Sequence, residues 1–309
     1  TGVVIGITEG AQDISFKRMM QVQEKLQQVV LSDPDTAGFA SSIGAGIGGQ
    51  TVNNGRIFIA LKPWDQRVGG SAQAYINRLR PKLQKVEGGA LFLQAAQDVR
   101  VGGRLSKTEF QYTLQDADLT ELFHWAPRIL DKLRSLPMLR DVTSDQQVGG
   151  TTATLVIDRD QAARFGIQPQ AIDDTLYDAF GQRQITQYFT QVNSYHLILE
   201  VLPDQQGDVA TLEKLYVKSS TGAAVPLSAF AKWSTLPVQP LSISHQSQFP
   251  AVTISFNLAP GAALGQAVDA IKAAVAEMGT PITVNGTFQG TAQAFQSSLA
   301  SQPYLIAAA

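Results

Sequence analysis

Apolar and polar positions along this chain change period repeatedly, and each change predicts an element. The opening run VVIGIT is strand-like. After it, Phe16, Met19, Met20, Leu26, Val29 and Val30 fall near a helical period, which predicts a helix over 15–31 ended by Asp33-Pro34. A strand through 39–43 comes next, then a strand at 57–61, a helix over 72–86 closed by Gly88-Gly89, and a strand at 91–94. The order returns at TEFQYTLQ, where Phe110, Tyr112 and Leu114 alternate with polar residues as one buried sheet face requires. A helix over 119–136 and the segment LRDVTSD come after it, and the pattern recurs late as AVTISFNL, a helix over 263–278 and ITVNGTF. Units in this order predict an α+β protein built from small sandwiches of ferredoxin-like, split-βαβ type.

Between 145 and 246 the pattern differs. TATLVIDRDQAARFGI, a helix over 170–180, two strands around QYFTQVNSYHLILEV and a Pro-punctuated strand leading out read as a second compact unit grown from a loop of a sandwich. Thr190, Gln191, Val192, Asn193 and Ser194 form the expected hairpin tip.

Gly44-Ala45-Gly46-Ile47-Gly48-Gly49 spells G-x-G-x-x-G, the spacing that cradles a pyrophosphate when a helix opens directly after it. The residues after this loop are instead Asn53-Asn54-Gly55, which is turn chemistry, and an apolar, β-prone run over 56–61. No helix dipole is available to a phosphate, so the loop reads as a connection between two strands and no cofactor is expected.

Composition narrows the functional classes. In 309 residues the net charge is −2 and 16% of residues are charged, which offers no basic field to nucleic acid. Cysteine is absent, so disulfides and thiolate metal sites are excluded. The chain opens at Thr1-Gly2 without a Met or signal peptide and closes on SQPYLIAAA, an apolar run shorter than the roughly 20 residues a bilayer requires. These ends predict a piece of a longer chain, cut where a membrane helix begins. His124, His196 and His245 stand far apart in sequence, and neither a P-loop nor a nucleophile elbow is present. Asp160 reads as a helix cap, and Asp173-Asp174 as first-turn acids favoured by the helix dipole. No enzyme is indicated.

Several stretches together resemble one family: NNGRIFIALKPWDQR, the long segment VTSDQQVGGTTATLVIDRDQAARFGIQPQAIDDTLYDAFGQRQI, VPLSAFAKW and FQGTAQAFQSSLASQPYLIAAA. They are similar, in order and over the whole chain, to the second large periplasmic loop of the inner-membrane subunit of resistance–nodulation–division (RND) multidrug efflux pumps. LYDAFGQRQITQYFTQVNSYHLILE resembles the Mdt-type and Mux-type branch, in which two different subunits share one pump.

The resemblance implies two ferredoxin-like porter subdomains, 1–107 and 108–148 with 247–292. It further implies an inserted α+β docking subdomain at 149–246 and the start of a membrane helix at 293–309. Gly44, Ala45, Gly46, Ile47, Gly48 and Gly49 fall in the family's switch loop, whose bulky aromatics are here Ala45 and Ile47; glycine suits a loop that flexes. Phe58, Leu91 and Leu93 would line the cleft between the porter subdomains, with Thr143 and Ser255 facing them, although a one-residue slip would exchange cleft for core. The tip at Thr190, Gln191, Val192, Asn193 and Ser194 would meet a channel or adaptor protein, or simply be solvated.

The expected partners are amphiphilic drugs or detergents, other RND subunits in a homomeric or heteromeric trimer, a periplasmic adaptor and an outer-membrane channel. Proton-relay residues would lie in membrane helices outside this chain. A free-standing periplasmic binding or scaffold module is the alternative. A metal-ion pump would need clustered methionines, and Met19, Met20, Met138 and Met278 form no evident triad.

Overall fold

The computed structural model describes residues 2–44, 51–96 and 106–298. The chain forms two compact units, one running to Gly150 and resuming at Pro240, the other being Thr151–Gln239.

The first unit opens with β1 (Val3–Gly10), α1 (Phe16–Leu31), β2 (Thr36–Ile43), β3 (Asn54–Leu61), α2 (Ala72–Leu83) and β4 (Gly89–Ala95). Its sheet is antiparallel throughout, in the order β2-β3-β1-β4. Split-βαβ connections generate this order, because each helix carries the chain over one sheet face to a non-adjacent strand. Ser15 caps α1 by accepting from the Arg18 N–H. Val22, Leu26 and Val30 of α1 then pack with Ile76 and Leu79 of α2 over Val4, Ile57, Ile59 and Leu93.

A second layer repeats the plan. It starts with β5 (Phe110–Gln115), α3 (Leu119–Arg134) and β6 (Leu139–Ser144). The chain then leaves through β7 (Gly150–Ile157), α4 (Arg159–Arg164), α5 (Pro169–Phe180), β8 (Arg183–Phe189), β9 (Ser194–Leu199), β10 (Tyr216–Lys218), β11 (Ala224–Pro226) and β12 (Ala231–Gln239). It returns as β13 (Ser244–Gln246), β14 (Phe249–Leu258), α6 (Leu264–Glu277) and β15 (Asn285–Gln289). Here β5 pairs with β14 and β15, and β14 also pairs with β6, all antiparallel.

Leu122, Ile129 and Leu133 of α3 and Val268 and Ile271 of α6 cover Tyr112, Leu114, Ile254 and Phe256. Phe110 stacks on Phe256 with centroids 5.7 Å apart, and Tyr112 meets Phe288 at 4.8 Å. Pro127 lies inside α3 and lacks the N–H that would reach the Phe123 carbonyl; the Gln146 side-chain amide takes that carbonyl at 3.5 Å.

The second unit is held by three two-stranded pairings, β7 with β12, β8 with β9 and β10 with β11. Ala162, Ile167, Ile172, Val217, Leu227 and Phe230 form its core.

A strand, β3, comes after the glycine loop as the sequence predicts, with no helix opening there. Several other expectations need correction. Asp158 rather than Asp160 caps α4, accepting from the Gln161 N–H. Asp173 and Asp174 lie beyond the first turn of α5, and Asp174 joins Asp178 around Arg183. Ser244–Gln246, expected in the insert, pairs with β14 in the first unit. Of the expected membrane-helix start at 293–309, residues 293–298 are helical and 299–309 lie outside the described residues.

One buried ionic clasp fixes α2. Arg78 grips Asp33 through both carboxylate oxygens, at 2.8 and 2.7 Å, and Asp35 at 2.7 Å. Asp35 also accepts from the Val68 and Gly69 N–H groups. Both carboxylates are fully buried. Burial alone would raise their pKa values, but hydrogen bonds from Arg78 and from backbone N–H groups outweigh it and hold both below the ordinary 3.8. Depressed values mean a stabilisation that is complete near neutral pH and lost as pH falls through those values.

We therefore expect Arg78→Ala to cost about 3–5 kcal/mol at pH 7, since it strands two buried carboxylates. In urea titrations the deficit should shrink as the solution is acidified and the carboxylates stranded in the variant take up protons; a deficit independent of pH would contradict the clasp. At Gly286 a Cβ would collide with the Tyr112 hydroxyl and ring. Gly286→Ala should lower stability by about 1–3 kcal/mol, and an unchanged urea midpoint would show that Tyr112 is free to move.

Candidate functional site

β4 and β6 are both edge strands, and the open edge of β4 lines a groove between the two layers of the first unit. One lobe, about 310 Å³, is bordered by Ile76, Leu83, Leu91 and Leu93, with Lys107 and Thr108 among its polar lining residues. The other, about 500 Å³, has Gln73, Asn77, Gln94, Glu109 and Arg140 on its walls. Arg80, Leu93 and Asn257 border both.

Two ionic contacts cross this groove. At the first, Lys107 Nζ donates to Glu9 Oε1 at 2.5 Å, to the Ser144 carbonyl at 2.9 Å and to Thr143 Oγ1 at 3.3 Å. Its side chain is about nine-tenths buried, and its three N–H donors meet three acceptors drawn from β1 and β6. At the second, Arg80 on α2 reaches Asp141 Oδ2 on β6 at 3.0 Å, with both side chains about a third exposed. Asn257 Nδ2 also donates to Asp141 Oδ2, at 2.9 Å. Asp141 sits at φ 52 where β6 and β14 slip register, a left-handed backbone that suits a bulge.

The side chain of Thr108 is buried in the smaller lobe, and its hydroxyl makes no hydrogen bond within the described residues. A ligand donor or acceptor would satisfy it. Apolar walls with a few polar groups among them suit burial of an apolar body with its polar part held by those groups.

The residues expected at a cleft are divided. Leu91 and Leu93 border the groove while packing towards the helices, and Leu93 is 9% exposed. Phe58 lies in the same sheet on the opposite face from Ile57 and Ile59, half exposed, and does not border the groove. Thr143 and Ser255 are cross-strand partners, both buried, and only Thr143 approaches the groove, through Lys107. Sequence reasoning missed Arg80, Lys107, Thr108, Asp141 and Asn257. A charged residue inside the strand-like LRDVTSD was the one available signal of a bulge.

Gly44 ends β2 at φ 79 with open space around it, a conformation for which glycine is the natural residue. Ala45, Gly46, Ile47, Gly48 and Gly49 lie outside the described residues. Beyond them, Thr51 Oγ1 meets Gln147 Oε1 at 2.7 Å, tying the loop's exit to the second layer.

The β8–β9 hairpin carries exposed apolar groups along its length. Tyr188 stacks on Tyr195 at 5.4 Å, and Phe189 and Val192 are 77% and 97% exposed. Its turn closes through Thr190 N–H donating to the Asn193 carbonyl at 2.7 Å, and Ser194, expected in the tip, begins β9.

His124 stands edge-on to Trp125, and His196 contacts Gln184. Among the described residues no group of three or more acidic or imidazole side chains could hold a metal. Met19 belongs to the first layer, while Met138 and Met278 pack in the second.

Comparison with known proteins places this architecture. The chain is 46% identical over 312 residues to the Multidrug resistance protein MdtC of Escherichia coli, and equally to that of Escherichia fergusonii. The alignment covers all of this chain but 30% of either relative. The fold also matches a crystal structure of a heavy metal efflux pump, with TM-score 0.80 at 17% identity, covering 99% of this chain and 32% of that one. A family profile, described as AcrB/AcrD/AcrF family, matches residues 1–309. The chain therefore belongs to the AcrB/AcrD/AcrF family, the RND transporters that its motifs resemble.

Proposed function

We propose that this chain is the periplasmic substrate-binding and docking portion of a proton-driven multidrug exporter, and that the groove between the two layers receives amphiphilic compounds on their way to an outer-membrane channel. The groove itself carries this reading: an edge-strand cleft with apolar walls and a few polar groups among them binds by burial, with few fixed hydrogen bonds, and so accepts many shapes. Support comes from the 46% identity to a protein named for multidrug resistance, over 30% of its length. No helix among the described residues is long and apolar enough to cross a membrane, in keeping with a loop between membrane segments.

In this reading 1–107 and 108–148 with 247–292 are the two porter subdomains, 149–246 the docking subdomain and 293–309 the entry to a membrane helix. Phe58, Leu91, Leu93, Thr143 and Ser255 belong to the substrate path. The loop from Gly44 to Gly49 flexes between pump states, and the hairpin tip at 190–194 offers its exposed apolar side chains to an adaptor or channel. The assembly is a trimer of RND subunits, identical or mixed. Proton coupling resides in the membrane portion and reaches the groove as motion of one porter layer against the other.

Leu91 lies on the helix side of the edge strand, in the wall of the smaller lobe. In cells whose exporters have been deleted and which express the longer protein with its adaptor and channel, Leu91→Trp should fill the groove. Susceptibility to neutral amphiphiles should then return to that of cells lacking the pump, at unchanged protein level. Full resistance with Leu91→Trp would remove the groove from the transport path. A protein with no flanking membrane segments would instead be a free-standing binding module.

A further inference from the structure

The smaller lobe contains an ion pair whose two members differ in freedom. Asp141 is fixed. Its backbone occupies the left-handed region at the bulge, and Asn257 Nδ2 donates to its Oδ2 at 2.9 Å. Asn257 is itself held, accepting from the Glu109 N–H at 3.0 Å. Arg80 is the mobile partner: a long side chain, 33% exposed, that crosses from α2 to reach Asp141 at 3.0 Å. A pair this exposed is weak, so a competitor faces a small barrier.

We propose that Asp141 is the charge-selecting residue of the groove, and that it recognises the head of a singly charged organic cation which displaces the Arg80 guanidinium. Because the carboxylate is fixed and the guanidinium is free to swing away, the exchange replaces a cation, and the entering group must be one. The charges around the lobe agree. With Arg80 withdrawn, Lys107 remains, but its donors are taken by Glu9, Thr143 and Ser144. Asp141 then stands as the unmatched charge beside Leu83, Leu91 and Leu93, where the ligand's apolar body is buried. Arg140 borders the other lobe, together with Glu109 of opposite sign. Departure of Arg80 also removes a side chain that borders both lobes, so the space available to a long ligand grows.

This inference rests on the groove being the amphiphile site, and its test separates the two claims. Binding of dodecyltrimethylammonium, dodecyl sulfate and dodecyl maltoside, each below its micelle concentration, is measured by titration calorimetry on the 309-residue chain. Only binding abolished by Leu91→Trp is counted. The wild-type chain should bind the ammonium about tenfold more tightly than the maltoside. Asp141→Asn keeps a residue tolerant of left-handed backbone, and should bring the ammonium down to the maltoside's affinity while leaving the maltoside unchanged. Arg80→Gln removes the competitor and should tighten the ammonium further.

An ammonium preference that survives Asp141→Asn, a loss of ammonium binding in Arg80→Gln, or tighter binding of the sulfate would each overturn the assignment while leaving the groove intact. Absence of any binding sensitive to Leu91→Trp would remove the groove reading and this inference together. Far-ultraviolet circular dichroism and urea midpoints confirm that the variants compared are folded.

Discussion

One buried ammonium joins the two layers of the first unit. Lys107 lies just ahead of β5, and its charge is accommodated only because Glu9, Thr143 and Ser144 supply three acceptors. An unpaired ammonium at that depth would cost several kcal/mol. The pairing therefore admits few relative positions of β1 and β6. With these strands set, the open edges of the two sheets flank a groove instead of closing on one another. Edge strands are ordinarily a liability, because unpaired N–H and C=O groups invite other chains. Here the edge of β4 faces into a cleft crossed by Arg80 and Asp141, which leaves little room for a foreign strand.

The two cross-groove ion pairs differ in strength, and the difference gives them different tasks. Lys107–Glu9 is largely buried, and removing either member strands a charge; Arg80–Asp141 is a third exposed and weak in comparison. A largely buried contact beside a weaker, more exposed one lets the layers stay in register while the exposed pair responds to a ligand. Arg78, two residues before Arg80, adds the third element: by clasping Asp33 and Asp35 it fixes α2, so that Arg80 moves as a side chain on a firm helix.

Much of the layered fold was legible in the sequence because burial imposes a period. Phe110, Tyr112 and Leu114 alternate because one face of β5 meets α3 and α6, and the helical spacing in α1 results from packing over β1 and β3. Departures occurred where periodicity carries no information. Asp158 rather than Asp160 caps α4, because the cap is set by where the strand-like backbone ends, and both positions carry the same side chain. The cleft residues were harder to read. Phe58 and Leu91 alternate equally well with their neighbours, and only strand register assigns Leu91 to the helix side and Phe58 to the other face. Arg80, Lys107 and Asp141 were not legible at all, since an ion pair between residues far apart in sequence leaves no local pattern.

The central claim is that the groove between the two layers receives an amphiphile. The most direct measurement is a crystal structure of the chain grown with an amphiphile whose alkyl chain ends in bromine, located by its anomalous signal. The account predicts bromine in the smaller lobe, between Leu83 of α2 and Leu91 and Leu93 of β4, with the polar head towards Asp141 and Thr108. Bromine found only along the exposed β8–β9 hairpin, with the groove unchanged, would contradict it.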